Sequence, residues 1–243
     1  MKKLLAFDLE VAEVLPAGQD FAYKPGLGIS IGVTLTSSGT RILWYSHDEA
    51  GLPAPRMRPE ECWDLTKYLM EMQEHGWTIL TWNGLAFDFR LLADETGLQD
   101  ACIELAMNHV DIMFQLFCYK GYRLGLETAA KGLHVEGKSR DTTGAEAPIL
   151  WQAREFGRVM RYVTQDSAAL LNVAEALLTR GGIPWISKSG IANFCPFRHG
   201  LLTVKQCLEL PLPDTSWMDN PPPRESFIGW MEEENEGDIL QCR

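Results

Sequence analysis

The sequence predicts a mixed α/β fold, and three observations carry that reading. Strand-like apolar runs lead the chain, helical periodicities dominate its second half, and one helical stripe separates two of the strands. The hairpin-like start argues against a doubly wound nucleotide fold, in which strand and helix alternate throughout.

Residues 4–10 (Leu-Leu-Ala-Phe-Asp-Leu-Glu) are apolar at both parities for most of their length, as in a central strand covered on both faces. Residues 27–36 alternate, with Leu27, Ile29, Ile31, Val33 and Leu35 on one side. Together with residues 41–46 they predict a hairpin turning at Ser37-Ser38-Gly39. Residues 59–74 carry Trp63, Leu65, Tyr68, Leu69 and Met72 at helical spacing, and Gly76 stops them. A short buried strand over 77–82 then runs into Asn83-Gly84. Helices are predicted over 86–95, 100–107, 126–133 and 148–178, the last with a break near Gly157. Gly181-Gly182-Ile183-Pro184 ends that helix. Residues 1–182 therefore read as one α/β unit. Residues 183–243, with Pro196, Pro211, Pro213, Pro221, Pro222 and Pro223, read as a Pro-rich C-terminal extension packed on the core and ending in an acidic tail.

Composition narrows the class. The chain has 243 residues, 46% apolar and 23% charged, which suits a globular protein and excludes a fibrous or disordered one. Its six cysteines are scattered without a C-x-x-C pair or a histidine at zinc spacing, a pattern that suits a reducing compartment. Asp8 and Glu10 cut the N-terminal apolar run too short for a signal peptide, and no run approaches a bilayer span. A soluble, cytoplasmic protein is expected. The net charge of −11 first argues against nucleic acid as a partner. However, Glu232, Glu233, Glu234, Glu236 and Asp238 concentrate acidity in the tail, whereas residues 120–161 hold eight bases and five acids.

The chemistry-bearing residues fall in three places. Asp8 and Glu10 are two apart on a strand, so both carboxylates share one face; either they meet solvent at a strand end, or a cation between them relieves their repulsion. Thr81-Trp82-Asn83-Gly84-Leu85-Ala86-Phe87-Asp88 ends a strand, turns, and delivers Asp88 into the first turn of a helix. There the helix dipole also favours an acid. Tyr162 and Asp166 are i and i+4 neighbours on the long helix, and Asp166 falls among its apolar positions Val163, Ala169, Leu170, Val173 and Leu177. Either Asp166 faces solvent beside a core Tyr162, or it is buried and needs a partner, which a metal would supply.

Together, these motifs resemble the DEDD superfamily of 3′–5′ exonucleases, the DnaQ-like nucleases with a ribonuclease H-like fold. Phe7-Asp8-Leu9-Glu10 is similar to the first motif, Asn83-x-x-x-Phe87-Asp88 to the second, and Tyr162-x-x-x-Asp166 to the tyrosine form of the third. Asp111-Ile112-Met113 and Leu124-Gly125-Leu126-Glu127 are similar to the stretch between motifs two and three. The histidine subclass would place His five residues before Asp166, where this sequence has Arg161. The resemblance, over roughly residues 1–180, is therefore to the tyrosine subclass, in the style of the exonuclease domains of family B DNA polymerases. It implies a mixed sheet flanked by helices and two divalent cations, Mg²⁺ or Mn²⁺. Asp8, Glu10, Asp88 and Asp166 would hold them, with Tyr162 orienting the attacking water. It further implies that Asn83 and Phe87 contact or support the terminal nucleotide; separately, Lys138 reads as part of a basic surface loop near the substrate. The implied reaction is phosphodiester hydrolysis at single-stranded or frayed 3′ ends, DNA ahead of RNA, with no membrane partner.

Other readings stay open: an RNA-trimming enzyme, a non-catalytic nucleic-acid or protein-interaction module, and a protein partner for residues 183–243. A phosphate-loop NTPase also has a sequence match at Gly132-Leu133-His134-Val135-Glu136-Gly137-Lys138-Ser139. That loop needs a strand before it and a helix after it. Here the residues before look helical and those after look like a loop. His109, His134 and His199 have no paired ligands and are expected in surface or core roles.

Overall fold

β1 (Leu4–Val11) lies at the centre of a five-stranded sheet of order β3-β2-β1-β4-β5. Its antiparallel neighbour β2 (Ile29–Thr36) pairs with β3 (Arg41–Trp44), and its parallel neighbour β4 (Thr78–Thr81) pairs in parallel with the edge strand β5 (Val110–Asp111). This protein structure, a computed structural model, describes residues 2–14, 23–138 and 141–232. Ser139 of the glycine-rich match, Cys242 and the acidic run over 233–243 lie outside the described residues.

Alternation along β1 divides the core. Leu5, Phe7, Leu9 and Val11 face a cluster with Leu65 and Leu69 of α1 (Pro59–Glu74) and Phe89 and Leu92 of α2 (Asp88–Thr96), joined by Leu105 of α3 (Gln99–Asn108). Leu4 and Ala6 face the opposite layer. There Ala129 of α5 (Leu126–Leu133) and Leu170, Val173 and Leu177 of α7 (Phe156–Arg180) cover the sheet. A strand buried on both faces needs apolar residues at both parities, which is what residues 4–7 supply. The five-stranded mixed sheet flanked by helices is the ribonuclease H-like architecture.

The predicted helix over 148–178 is interrupted, into α6 (Ala147–Gln152) and α7, and the break falls at residues 153–155, just before Gly157. Arg154 adopts φ 62° there, a left-handed turn that ends the first helix, while Gly157 sits inside the second. A helix that periodicity does not show, α4 (Ile112–Lys120), follows β5. Ile112 through Cys118 are buried all round, so no polar face marks the period. Residues 27–28 precede β2 rather than belong to it, and β3 stops at Trp44.

Residues beyond 182 add to the existing cores. β6 (Gly182–Ile186) and β7 (Ala192–Pro196) form a hairpin against α5. Gly132 makes that packing possible: a Cβ there would stand 1.6 Å from the Pro184 carbonyl oxygen. Val204 and Cys207 of α8 (Val204–Leu208), Phe227 of α9 (Glu225–Ile228) and Trp230 enter the same cluster as Phe7 and Phe89. Among the described residues, five cysteines are free and buried, and no helix is long and apolar enough to cross a membrane.

Candidate functional site

The site begins where β1 outruns its parallel partner. Pairing with β4 ends at Ala6, so β1 has no partner strand on that side at Leu9, and Asp88 Oδ1 accepts from the Leu9 amide at 2.8 Å. Asp8 and Glu10 point to the α7 side of β1, the same face as Ala6. A register shift at Glu10/Val11 ends the regular ladder beside them.

Asp88 is the first residue of α2 and is buried. The turn that delivers it is tightly built. Asn83 takes φ 79°, and Gly84 lies where a Cβ would meet the Thr81 side chain at 2.6 Å. Asp111 anchors the turn: its carboxylate accepts from the Asn83 and Leu85 amides, each at 3.0 Å, and also caps α4 through the Phe114 amide at 3.0 Å. Beneath the turn, the His109 ring sits 2.9 Å from the Thr81 hydroxyl, fully buried and held neutral because burial pushes its pKa down to about 3. His109 is thus a core residue.

α7 crosses the sheet over β1 and β2 and brings Tyr162 and Asp166, both buried, onto the carboxylate face. Their i and i+4 spacing makes them neighbours on one face of the helix. Burial raises the Tyr162 hydroxyl above the ordinary phenol range, and the charges of Glu10, Asp166 and Asp8 raise it further. Tyr162 therefore keeps its proton and acts as a donor.

The four acids share one field. Burial, and then the Asp166 charge, push Asp8 up to about 7. Glu10 is raised well above the ordinary range by burial and by Asp8, and Asp88 by burial and by Asp8. Such a nest favours any cation that enters it. One already does so: Lys138 Nζ lies 2.6 Å from Asp166 Oδ2. Burial alone would lower the Lys138 pKa, but Asp166, Asp8 and Glu10 outweigh it and hold the ammonium above its usual range. Lys138 is aimed by its own backbone, whose amide donates to Glu127 Oε2 at 3.0 Å, and Gly137 leaves room for that carboxylate.

Beside the nest opens a cleft of about 410 Å³, whose lining includes Asp8, Asn83, Lys138, Asp166, Arg123 and Ser167. The side-chain oxygens of Asn83 and Ser167 are buried without a hydrogen-bond partner. Of the residues singled out by sequence, Asp8, Asn83, Lys138 and Asp166 line the cleft, while Glu10, Asp88 and Tyr162 are joined to them through the shared field. Phe87 instead packs edge-on to Tyr23, at 6.1 Å, and against the main core. Arg123 and Ser167 were not singled out, and Asp111 was noted only as part of the stretch between motifs two and three, without a role. Asp111 had one legible signal, an acid directly before a long apolar run, which is the pattern of a helix cap.

An all-oxygen set of carboxylates is the donor chemistry that hard divalent cations take. The ammonium of Lys138 stands in for such a charge, so the residues present fit that group. Among the described residues no three His, Cys, Asp or Glu side chains converge as a ready metal site. As they stand, Asp88 is turned to the Leu9 amide and Asp166 to Lys138. In the glycine-rich match, α5 rather than a strand leads into Gly132, which removes the structural context a phosphate loop requires.

A family model described as the RNase_H superfamily matches residues 53–178. Among solved structures, the chain is similar to the family B DNA polymerase from the hyperthermophilic archaeon Pyrobaculum calidifontis, with TM-score 0.52 and 18% identity over 73% of this chain and 25% of that one. A weaker likeness, TM-score 0.34 and 12% identity, is to a product-bound exonuclease I, over 73% of this chain and 43% of that one. The polymerase match is a likeness of fold, and the chain spans about a quarter of that polymerase. No curated protein matches it.

Proposed function

The chain belongs to the RNase H superfamily, and from that premise we propose that it is a metal-dependent 3′–5′ exonuclease of the tyrosine DEDD subclass. Its substrate would be single-stranded or frayed nucleic-acid 3′ ends, DNA ahead of RNA. One observation carries the reading: β1, α2 and α7 bring Asp8, Glu10, Asp88 and Asp166 together beside an open cleft, where burial and neighbouring charge raise the first three.

In this reading Asp8, Glu10, Asp88 and Asp166 would hold two divalent cations, Mg²⁺ or Mn²⁺. When bound, the cations supply a nucleophilic water at neutral pH and charge to stabilise an in-line phosphodiester displacement. Tyr162, kept protonated, donates to and orients that water rather than deprotonating it. Asn83, with its unpartnered side-chain oxygen at the cleft, receives the terminal nucleotide, and Phe87 supports the Asn83–Asp88 turn from the core side. Lys138, paired with Asp166 in this structure, would be free to offer its ammonium to a substrate phosphate where cations took up that carboxylate.

The test is a pair of single strands of one sequence, DNA and RNA, labelled at the 5′ end and incubated with Mg²⁺ or Mn²⁺. A ladder of stepwise shorter labelled products, stopped by EDTA and by a blocked 3′ end, is expected. Intact strands of both kinds with both metals would remove the proposal.

A further inference from the structure

An aromatic ledge borders the cleft on the side of the C-terminal extension. α4 ends at Gly121, φ 78°, and the chain turns through Tyr122 to Arg123 and Leu124, both of which line the cleft. A loop of the extension seats on that turn, because a Cβ at Gly121 would stand 2.3 Å from the Thr215 methyl and 3.5 Å from the Met218 methyl. This seating sets Trp217 edge-to-face on Tyr122 at 5.9 Å, and Tyr122 in turn is edge-to-face with the buried Trp185 at 6.3 Å.

Trp217 is nonetheless 66% exposed, leaving a large indole face to water. Its ring is oriented, since Nε1 donates to the Asp214 carbonyl at 3.2 Å. The Asp214 carboxylate is taken up within the same loop by the Ser216 amide. Between ledge and cleft stands Arg123, exposed, with its guanidinium 4.4 Å from the Phe227 ring centre and donating to Ser226 Oγ. A fixed aromatic surface, then a fixed cation, then a cleft lined by carboxylates is an order that suits one occupant: a nucleic-acid strand with unpaired bases.

We propose that Trp217, backed by Tyr122, is a stacking subsite for bases upstream of the 3′-terminal nucleotide, with Arg123 holding an intervening phosphate. Every base has a π-face, so the subsite would tolerate sequence, and a duplex, whose base faces are covered, would not use it. The inference rests on the reading of the cleft as the site of a strand end, and it adds what lies beyond that end.

The test measures binding of fluorescent oligothymidylates of three and twelve nucleotides to the full chain, in EDTA at low salt so that no strand is cut. Wild type is expected to bind the twelve-mer at least tenfold more tightly than the three-mer. Trp217→Ala should lose about tenfold on the twelve-mer, or about 1.4 kcal/mol, and little on the three-mer, while Trp217→Phe keeps most of the gain. Arg123→Gln should weaken the twelve-mer and flatten its salt dependence. A Trp217→Ala protein with the wild-type melting temperature and wild-type affinities would overturn the proposal. So would equal weakening for both lengths, or a change of oligomeric state without a change in strand affinity. Cutting with Mn²⁺ is scored separately. A protein that shows the Trp217-dependent gain but never cuts keeps the ledge and loses the exonuclease reading, and the converse result does the reverse.

Discussion

Asp8 stands where burial and a neighbouring carboxylate both oppose its charge, and stability without metal should record this. Its pKa is raised from the ordinary carboxylate value to about 7 in the folded chain. Below about pH 4 the group is protonated folded and unfolded alike. Between about 4 and 7 the folded chain holds a proton that the unfolded chain has released, so stability falls as pH rises through this window. Metal-free protein should therefore melt several degrees higher near pH 5 than near pH 8, with Glu10 and Asp88 acting in the same direction. Asp8→Asn removes one source of the slope and should stabilise the metal-free protein above pH 7 by on the order of 1–3 kcal/mol, once its partial exposure is discounted. Calorimetric scans across pH with and without the substitution check both points. The Asp8 and Glu10 pairing was legible because a strand has a period of two, and the Tyr162 and Asp166 pairing because a helix repeats near four. The contact of Lys138 with Asp166 was not, because it depends on how the loop after α5 closes over Glu127.

At the level of elements, the site is held by a few caps and close approaches. Asp111 ties the Asn83–Leu85 turn to the start of α4 through three amides. Asp111→Ala should cost about 2 kcal/mol or more, because it removes a cap and leaves buried amides unsatisfied. A fall in the urea midpoint and a parallel fall in strand cutting are the expected readouts. Gly132→Ala forces a methyl against the Pro184 backbone and should cost about 3 kcal/mol, at the upper end for overpacking, since backbone cannot rotate away. Amphipathic helices such as α1 and α5 were legible in sequence because one face of each meets solvent. α4 was not, since a helix wrapped by core on every side carries no polar stripe. The break before α7 was displaced for a related reason: glycine is the usual signal for a left-handed residue, and here Arg154 adopts that conformation.

Across the whole molecule, the extension and the sheet share one interior. Trp230 donates from Nε1 to the Leu85 carbonyl at 2.8 Å, and Phe227 lies 5.1 Å from Phe114 and 4.7 Å from Phe117. The boundary drawn at residue 182 from prolines and glycines marks a change of composition, and the packing across it calls for one cooperative unfolding transition rather than two. Trp230→Ala should lower the melting temperature and weaken cutting together, because the turn bearing Asn83 and Asp88 loses its brace. Net charge misleads at this scale, since part of the acidity is the carboxylate nest itself. Paired assays of wild type and Asp8→Asn bear most directly on the site: Mn²⁺ binding followed by electron paramagnetic resonance, and shortening of a 5′-labelled single strand. Wild type should bind metal and shorten the strand stepwise from its 3′ end, with both lost in a folded Asp8→Asn protein and cutting down at least about a hundredfold. Equal cutting by the two proteins, or no Mn²⁺ bound by wild type, would contradict the metal-dependent reading.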